Sequence, residues 1–358
     1  MPPATSALGR LGQSLWLDNI TRDLLDHGTL QRYIDTLSVT GLTSNPTIFD
    51  KAIAGSAAYD AEIAHRHEAG ESDEDLFFHL AIADLQRAAD LFAPVHAARC
   101  GVDGFVSLEV SPRLAHDTTS TIAQAKSLHA RAARANLFMK IPGTTEGVPA
   151  ISACLFAGVP VNVTLLFSVA QYRAAVDAWL MGMEQRVEAG LAPDIASVAS
   201  LFVSRWDVAV ADRIRPSLRN TLGIAVAGQV YRAYRDMMAS NRFQRLQNLG
   251  ARPQRLLFAS TGTKDAAASD TLYVDALAAP NTINTMPEKT LQAYAAHGEA
   301  PGTMVHDTGA ADAMVARYTA AGIDIDALGA QLQDEGAQSF VASWDSLLAA
   351  VAAKRVTT

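Results

Sequence analysis

Lys140 sits in the apolar run Leu137-Phe138-Met139-Lys140-Ile141-Pro142-Gly143, where an ammonium group without a partner is very costly to bury. A lysine so placed either snorkels to the surface or sheds its proton. A neutral amine attacks carbonyl carbon and gives a Schiff base. Other polar residues interrupt apolar runs in the same way. Asp18 closes Leu15-Trp16-Leu17, Asn45 follows Thr40-Gly41-Leu42-Thr43-Ser44, and Glu109 lies between Leu108 and Val110. Asn162 and Thr164 are two apart, which puts them on one face of an extended segment. Two carboxylates in different surroundings can divide acid and base duties around such a lysine. Each residue also has a plainer reading. Asp18 and Asn45 could be helix caps, Thr164 an ordinary strand threonine, and Glu109 the structural ion-pair partner of Lys140. Convergence of the whole set favours chemistry over packing.

Such a set needs a scaffold that brings distant segments together. Apolar runs at 14–20, 39–45, 104–110, 137–142, 160–167, 197–203, 255–261 and 283–286 read as strands. They alternate with helical patterns that include 73–99, 116–134, 168–188 and 224–247. Regular succession of this kind implies parallel βαβ units. Eight of them suggest a closed (β/α)8 barrel, the TIM barrel of the α/β class, in which chemistry gathers at the C-terminal strand ends. The expectation is one domain over 1–358. Additional helices are expected around 58–99, where an inserted hairpin fits, and in an all-helical tail at 307–355 punctuated by Gly309, Gly322 and Gly329.

Composition narrows the partners. Of 358 residues, 49% are hydrophobic and 18% charged, which supports a sizeable core. A formal charge of −8 gives no general attraction to nucleic acid or to acidic membranes. Any anionic ligand must therefore be caught by a few placed groups. Cys100 and Cys154 are too few for a disulfide scaffold and point to a reducing compartment. Both read as small core residues. The first twelve residues lack a signal-peptide core, and no run approaches the roughly 20 apolar residues of a membrane span. A cytoplasmic chain is expected. His65 and His67 are two apart and on a helix point away from each other, so no metal is expected. Tyr231, Tyr234, Met237 and Met238 read as helix packing.

Five segments then act together: Trp16-Leu17-Asp18-Asn19, Gly41-Leu42-Thr43-Ser44-Asn45-Pro46-Thr47, Val106-Ser107-Leu108-Glu109-Val110, Met139-Lys140-Ile141-Pro142-Gly143-Thr144 and Asn162-Val163-Thr164-Leu165-Leu166-Phe167-Ser168. In this order they resemble the signature blocks of the transaldolases, Schiff-base enzymes of the class I aldolase superfamily. The longer-chain bacterial branch fits best. That branch is fused to glucose-6-phosphate isomerase in some proteins, and no isomerase domain is expected here.

The resemblance implies that Lys140 attacks the C2 carbonyl of a ketose phosphate without any cofactor. It implies that Asp18 moves the proton of the C4 hydroxyl, and that Glu109 works through a bound water which Thr164 helps to hold. Asn45 and Asn162 would hold substrate hydroxyls. Ser200-Leu201-Phe202-Val203-Ser204-Arg205 resembles a phosphate-binding block, which assigns Ser200 and Arg205 to phosphate. An ion pair with Asp207 is the alternative for Arg205. Many relatives carry Ser-x-Arg after the seventh strand, whereas this chain has Ser260-Thr261-Gly262-Thr263-Lys264. Lys264 would then supply the displaced charge beside Ser260. The spacing is not that of a nucleotide P-loop.

Shorter relatives that release free dihydroxyacetone from fructose 6-phosphate usually carry glutamine at the place of Glu109 and tyrosine at that of Phe202, so a transferase is favoured. A sugar-phosphate-binding barrel without catalysis is the alternative from another class. Sugar phosphates are the expected partners, and a homodimer is left open.

Overall fold

Valine, leucine and isoleucine crowd the short strands because a parallel sheet covered by helices leaves neither face to water. The computed structural model describes residues 4–68, 70–299, 302–304 and 308–356. Eight strands run among the described residues: β1 (Ser14–Asp18), β2 (Val39–Thr43), β3 (Val106–Glu109), β4 (Leu137–Pro142), β5 (Val161–Leu166), β6 (Ser197–Phe202), β7 (Arg255–Ala259) and β8 (Ile283–Met286). They pair in parallel in the order β2-β1-β8-β7-β6-β5-β4-β3. Two backbone bonds join the ends of that order. Gly104 N donates to Thr40 O and Leu42 N to Phe105 O, both at 2.9 Å. The sheet is thereby a nearly closed barrel inside a ring of helices, as the alternation predicts.

Six of the strands are shorter than their apolar runs, because the ladder stops short of one or both ends of each run. Helix starts follow local chemistry. Ser168 and Gln171 form a reciprocal capping box before Val169–Glu188, and the Ser72 and Asp117 side chains cap Asp73–Ala98 and Thr118–Ala132. The single helix expected over 224–247 is two, Leu222–Ala239 and Asn241–Asn248. Ser240 breaks it by turning extended and accepting from Phe243 N at 3.2 Å.

Within 58–99, helix Asp60–Glu68 is additional, whereas Asp73–Ala98 packs on β3 as the barrel's outer helix between β2 and β3. The tail is helical over Thr308–Ala320 and Ile325–Val356, and Asp307 lies outside the described residues. Gly322, at φ +87°, follows helix Thr308–Ala320 as a left-handed terminator. Gly309 and Gly329 are not punctuation: both lie within helices. Cys154 is buried as expected, but Cys100 is exposed just past the end of a helix. Tyr231, Tyr234 and Met237 are buried in helix packing.

The last helix, Ile325–Val356, lies across the C-terminal end of the barrel. Leu328, Leu332, Ala337, Phe340, Trp344, Leu347 and Val351 form its buried stripe at helical spacing. Gln333 Nε2 donates to the carbonyls of Gly143 and Leu165, both at 2.9 Å. Ser343 bonds Thr47 at 2.7 Å, and Arg355 pairs with Asp73. These contacts run from the β4–β5 side to the β2 side of the mouth. Among the described residues no helix is long and apolar enough to cross a membrane.

Candidate active site

Strand register decides which polar side chains meet. Asp18 stands opposite Thr43 across β1 and β2, Glu109 opposite Lys140 across β3 and β4, and Lys140 opposite Asn162 across β4 and β5. Paired positions on neighbouring strands face the same side, so Glu109, Lys140 and Asn162 form a row inside the barrel. Beyond it, the ladder between β5 and β6 shifts between Val163 and Leu166, and Leu165 takes φ +58°. A left-handed leucine is strained and persists only where its surroundings hold it. Here Gln333 grips the Leu165 carbonyl.

Lys140 Nζ donates to Glu109 Oε2 at 2.9 Å and to the Ser44 carbonyl at 2.8 Å. Both side chains are only 6% exposed. The direct ion pair, the plainer reading of Glu109, is therefore present. Burial pushes the Glu109 carboxyl above its usual range, the Lys140 charge pulls it back, and nearby Asp18 pushes it up again. Asp18 is also raised by burial, opposed first by a hydrogen bond from Thr43 and then by the charges of Lys140 and Lys264. Thr43 Oγ1 donates to Asp18 at 2.7 Å and lies 2.6 Å from the Thr285 hydroxyl, so Thr285 completes a short hydroxyl chain.

The capping alternatives separate. Asp18 is no cap, because Thr21 caps the next helix, Arg22–Asp26. Asn45 is one: its Oδ1 accepts from Ile48 N at 3.0 Å at the start of Pro46–Gly55.

A cavity of about 550 Å³ opens above this floor, lined by Asp18, Asn45, Lys140, Thr164, Ser200, Arg205, Ser260 and Lys264. Glu109 and Asn162, the other two residues singled out in the sequence, do not line it. Glu109 backs Lys140. Asn162 is fully buried and bonded at both ends, to Ser200 Oγ at 2.7 Å and Ser107 Oγ at 3.2 Å. In this structure it therefore supports Ser200 instead of facing the cavity. The Thr164 hydroxyl is buried at the cavity wall with no partner among the described residues, a costly state unless a ligand or solvent meets it.

Arg205 begins helix Ser204–Val210 and does not pair with Asp207. The Asp207 carboxylate accepts from Leu222 N, Gly223 N and the Tyr273 hydroxyl. The Arg205 guanidinium lies instead over the rings of Phe202 and Phe340, at 5.2 and 5.9 Å. Burial draws it below the usual arginine range, opposed by Glu335 and Glu109. Ser260, at φ +56°, meets Ser204 hydroxyl to hydroxyl at 2.8 Å. Lys264 is exposed on the rim.

Several lining residues were not singled out from sequence: Thr43, Lys51, Thr285, Glu288 and Phe340. Thr43 stands two before Asn45 in the segment Gly41-Leu42-Thr43-Ser44-Asn45 and so had a signal. Phe340 had none, because nothing local marks a tail phenylalanine as an active-site wall. His65 and His67 lie on Asp60–Glu68, away from the cavity. Among the described residues no group of three His, Cys, Asp or Glu is arranged to hold a metal ion.

A lysine paired with a carboxylate, a second carboxylate nearby and cations at the mouth of one barrel match a known group of proteins. Residues 15–351 fit the family model described as Transaldolase/Fructose-6-phosphate aldolase. The chain belongs to that family. Similar relatives are each named transaldolase. The protein of Saccharopolyspora erythraea is 47% identical over 353 residues, 96% of either chain. That of Mycolicibacterium smegmatis is 45% identical over 355 residues, covering 97% of this chain and 96% of its own. That of Mycobacterium tuberculosis is 47% identical over 356 residues, covering 97% and 95%. The transaldolase/fructose-6-phosphate aldolase match includes every candidate residue named above.

Proposed function

We propose that this enzyme is a transaldolase that works through an imine on Lys140. It would transfer a dihydroxyacetone unit from sedoheptulose 7-phosphate or fructose 6-phosphate to glyceraldehyde 3-phosphate or erythrose 4-phosphate. Transaldolase activity follows from the family and from near-full-length relatives of that name. The observation that carries the imine reading is Lys140 Nζ at the cavity floor, 2.9 Å from Glu109.

In this reading, Lys140 passes a proton to Glu109, whose raised pKa suits it to receive one. The freed amine attacks C2 of the ketose, and loss of water gives a protonated imine. Asp18 then takes the C4 hydroxyl proton as the C3–C4 bond breaks. The bonding electrons move into the imine, leaving a three-carbon enamine and an aldose phosphate. The second aldose phosphate reverses these steps. The unpartnered Thr164 hydroxyl supports a role in holding the water that leaves and returns. Asn45, Ser200 and Ser260 are assigned to substrate oxygens, and Asn162 to holding Ser200 in place. Arg205 and Lys264 are assigned to phosphate, which suits arginine's planar fork.

The same reading takes in one barrel domain with its extra helices over 1–358 and a cytoplasmic location in the non-oxidative pentose phosphate pathway, and it leaves a homodimer open. A light-scattering mass of twice one chain tests the last. Glu109 and Phe202 favour transfer over release, and a product assay separates the two. Fructose 6-phosphate alone should release little dihydroxyacetone, and adding erythrose 4-phosphate should produce sedoheptulose 7-phosphate. Rapid release without acceptor would assign the aldolase activity instead.

A further inference from the structure

Arg205 presents an unusual state for a half-buried arginine. Among the described residues no oxygen accepts from its guanidinium, although five N–H donors normally find partners. What it has are two ring faces, Phe202 at 5.2 Å and Phe340 at 5.9 Å. The Phe340 ring also lies 5.9 Å from Lys140 Nζ, so one side chain borders both the reacting nitrogen and the guanidinium.

The last helix is shaped to bring that ring in. A Cβ on Gly336 would lie 2.9 Å from Leu165 Cδ2 and 3.3 Å from Arg205 Nη1. A Cβ on Gly329 would lie 3.3 Å from Trp206. Missing side chains at these two positions let the helix approach the β5 and β6 ends. The Gln333 bonds to Gly143 and Leu165 then fix its height. One turn beyond Gly336, Phe340 reaches the cavity and is only 4% exposed.

We infer that Phe340 is a positioning residue: with Phe202 it holds the Arg205 guanidinium by its faces and leaves the N–H edge directed at substrate phosphate. A planar cation stacked on aromatic rings loses little freedom when its edge takes an anion. The inference rests on reading Arg205 as a phosphate ligand. The competing account is that Phe340 is core alone, one member of the buried stripe that includes Ala337 and Trp344. That account makes a different prediction, because lost packing harms every substrate alike.

The test compares kcat/KM for fructose 6-phosphate with that for unphosphorylated fructose, using an aldose phosphate acceptor. Phe340→Leu should lower this ratio about tenfold, the factor carried by ~1.4 kcal/mol of lost cation–π contact. Phe340→Tyr, which keeps a ring face, should restore most of it. Phe340→Met, whose flexible chain can refill the gap without a ring, gives the same reading if the leucine variant does not fold. Arg205→Gln should lower the ratio further than either. Equal losses on both sugars in Phe340→Leu or Phe340→Met, alongside a collapsed ratio in Arg205→Gln, would overturn the positioning role and leave the phosphate reading standing. An unchanged ratio in Arg205→Gln would overturn the phosphate reading and this inference with it.

Discussion

Replacing Glu109 with glutamine probes the centre of the site, because it removes one charge and little volume. At the observed 2.9 Å between Lys140 Nζ and Glu109 Oε2, the bare attraction is roughly 6 kcal/mol at an effective dielectric of about 20. Desolvation of the buried carboxylate opposes it, as the upward push on its pKa records. Removing one partner from a buried pair typically costs about 3–5 kcal/mol. Glutamine keeps an acceptor oxygen, and the Ser44 carbonyl keeps its bond to Nζ. The expected loss of stability is therefore about 2–3 kcal/mol, below that range. Urea unfolding followed by circular dichroism would measure it. The rate of imine formation, read in single turnovers with fructose 6-phosphate, should fall by about 10²–10⁴, the usual worth of a placed acid–base group. Unfolding free energy and rate both close to the parent's would refute the claim that this carboxylate serves Lys140.

Three further outcomes follow from the same geometry. Thr43→Val removes the hydrogen bond that holds down the Asp18 pKa, so the acidic limb of the pH–rate profile should move to higher pH; no shift, or a downward one, would count against Asp18 as the base. Asp18→Asn should abolish turnover while changing the pH dependence of stability. Because the folded pKa of Asp18 lies above the ordinary 3.8, the folded state holds its proton more tightly than the unfolded, and parent stability falls as pH rises from about 3.8 through the folded value. The variant's advantage in urea should thus be small in acid and grow across that window, and an advantage that shrinks with pH would contradict the burial argument. Lys264→Met should raise KM for phosphorylated substrates severalfold. Since Lys264 is exposed on the rim, added salt should shrink the difference, and a difference insensitive to salt would place the residue elsewhere in the mechanism.

The barrel was legible because its strands are apolar runs that alternate regularly with longer helical patterns. Lys140 and Glu109 were legible for the opposite reason, being charges where charges do not belong. What escaped the sequence depends on contacts between distant segments. The Asp207 carboxylate goes to Leu222, Gly223 and Tyr273 and leaves Arg205 to two rings, a choice that no local spacing encodes. Asn162 and Thr164 do share a face, yet one is locked to Ser200 and Ser107 while the other has no partner among the described residues. Phe340 lines the site because its helix, with glycine at 336, packs close against Leu165 and Arg205.

Borohydride reduction tests the central claim most directly. Incubation with fructose 6-phosphate and borohydride should inactivate the enzyme, and peptide mass mapping should place a stable secondary amine on Lys140 (absent from Lys140→Met). Absence of any adduct, or an adduct confined to another lysine, combined with loss of turnover on adding a chelator, would contradict the imine mechanism.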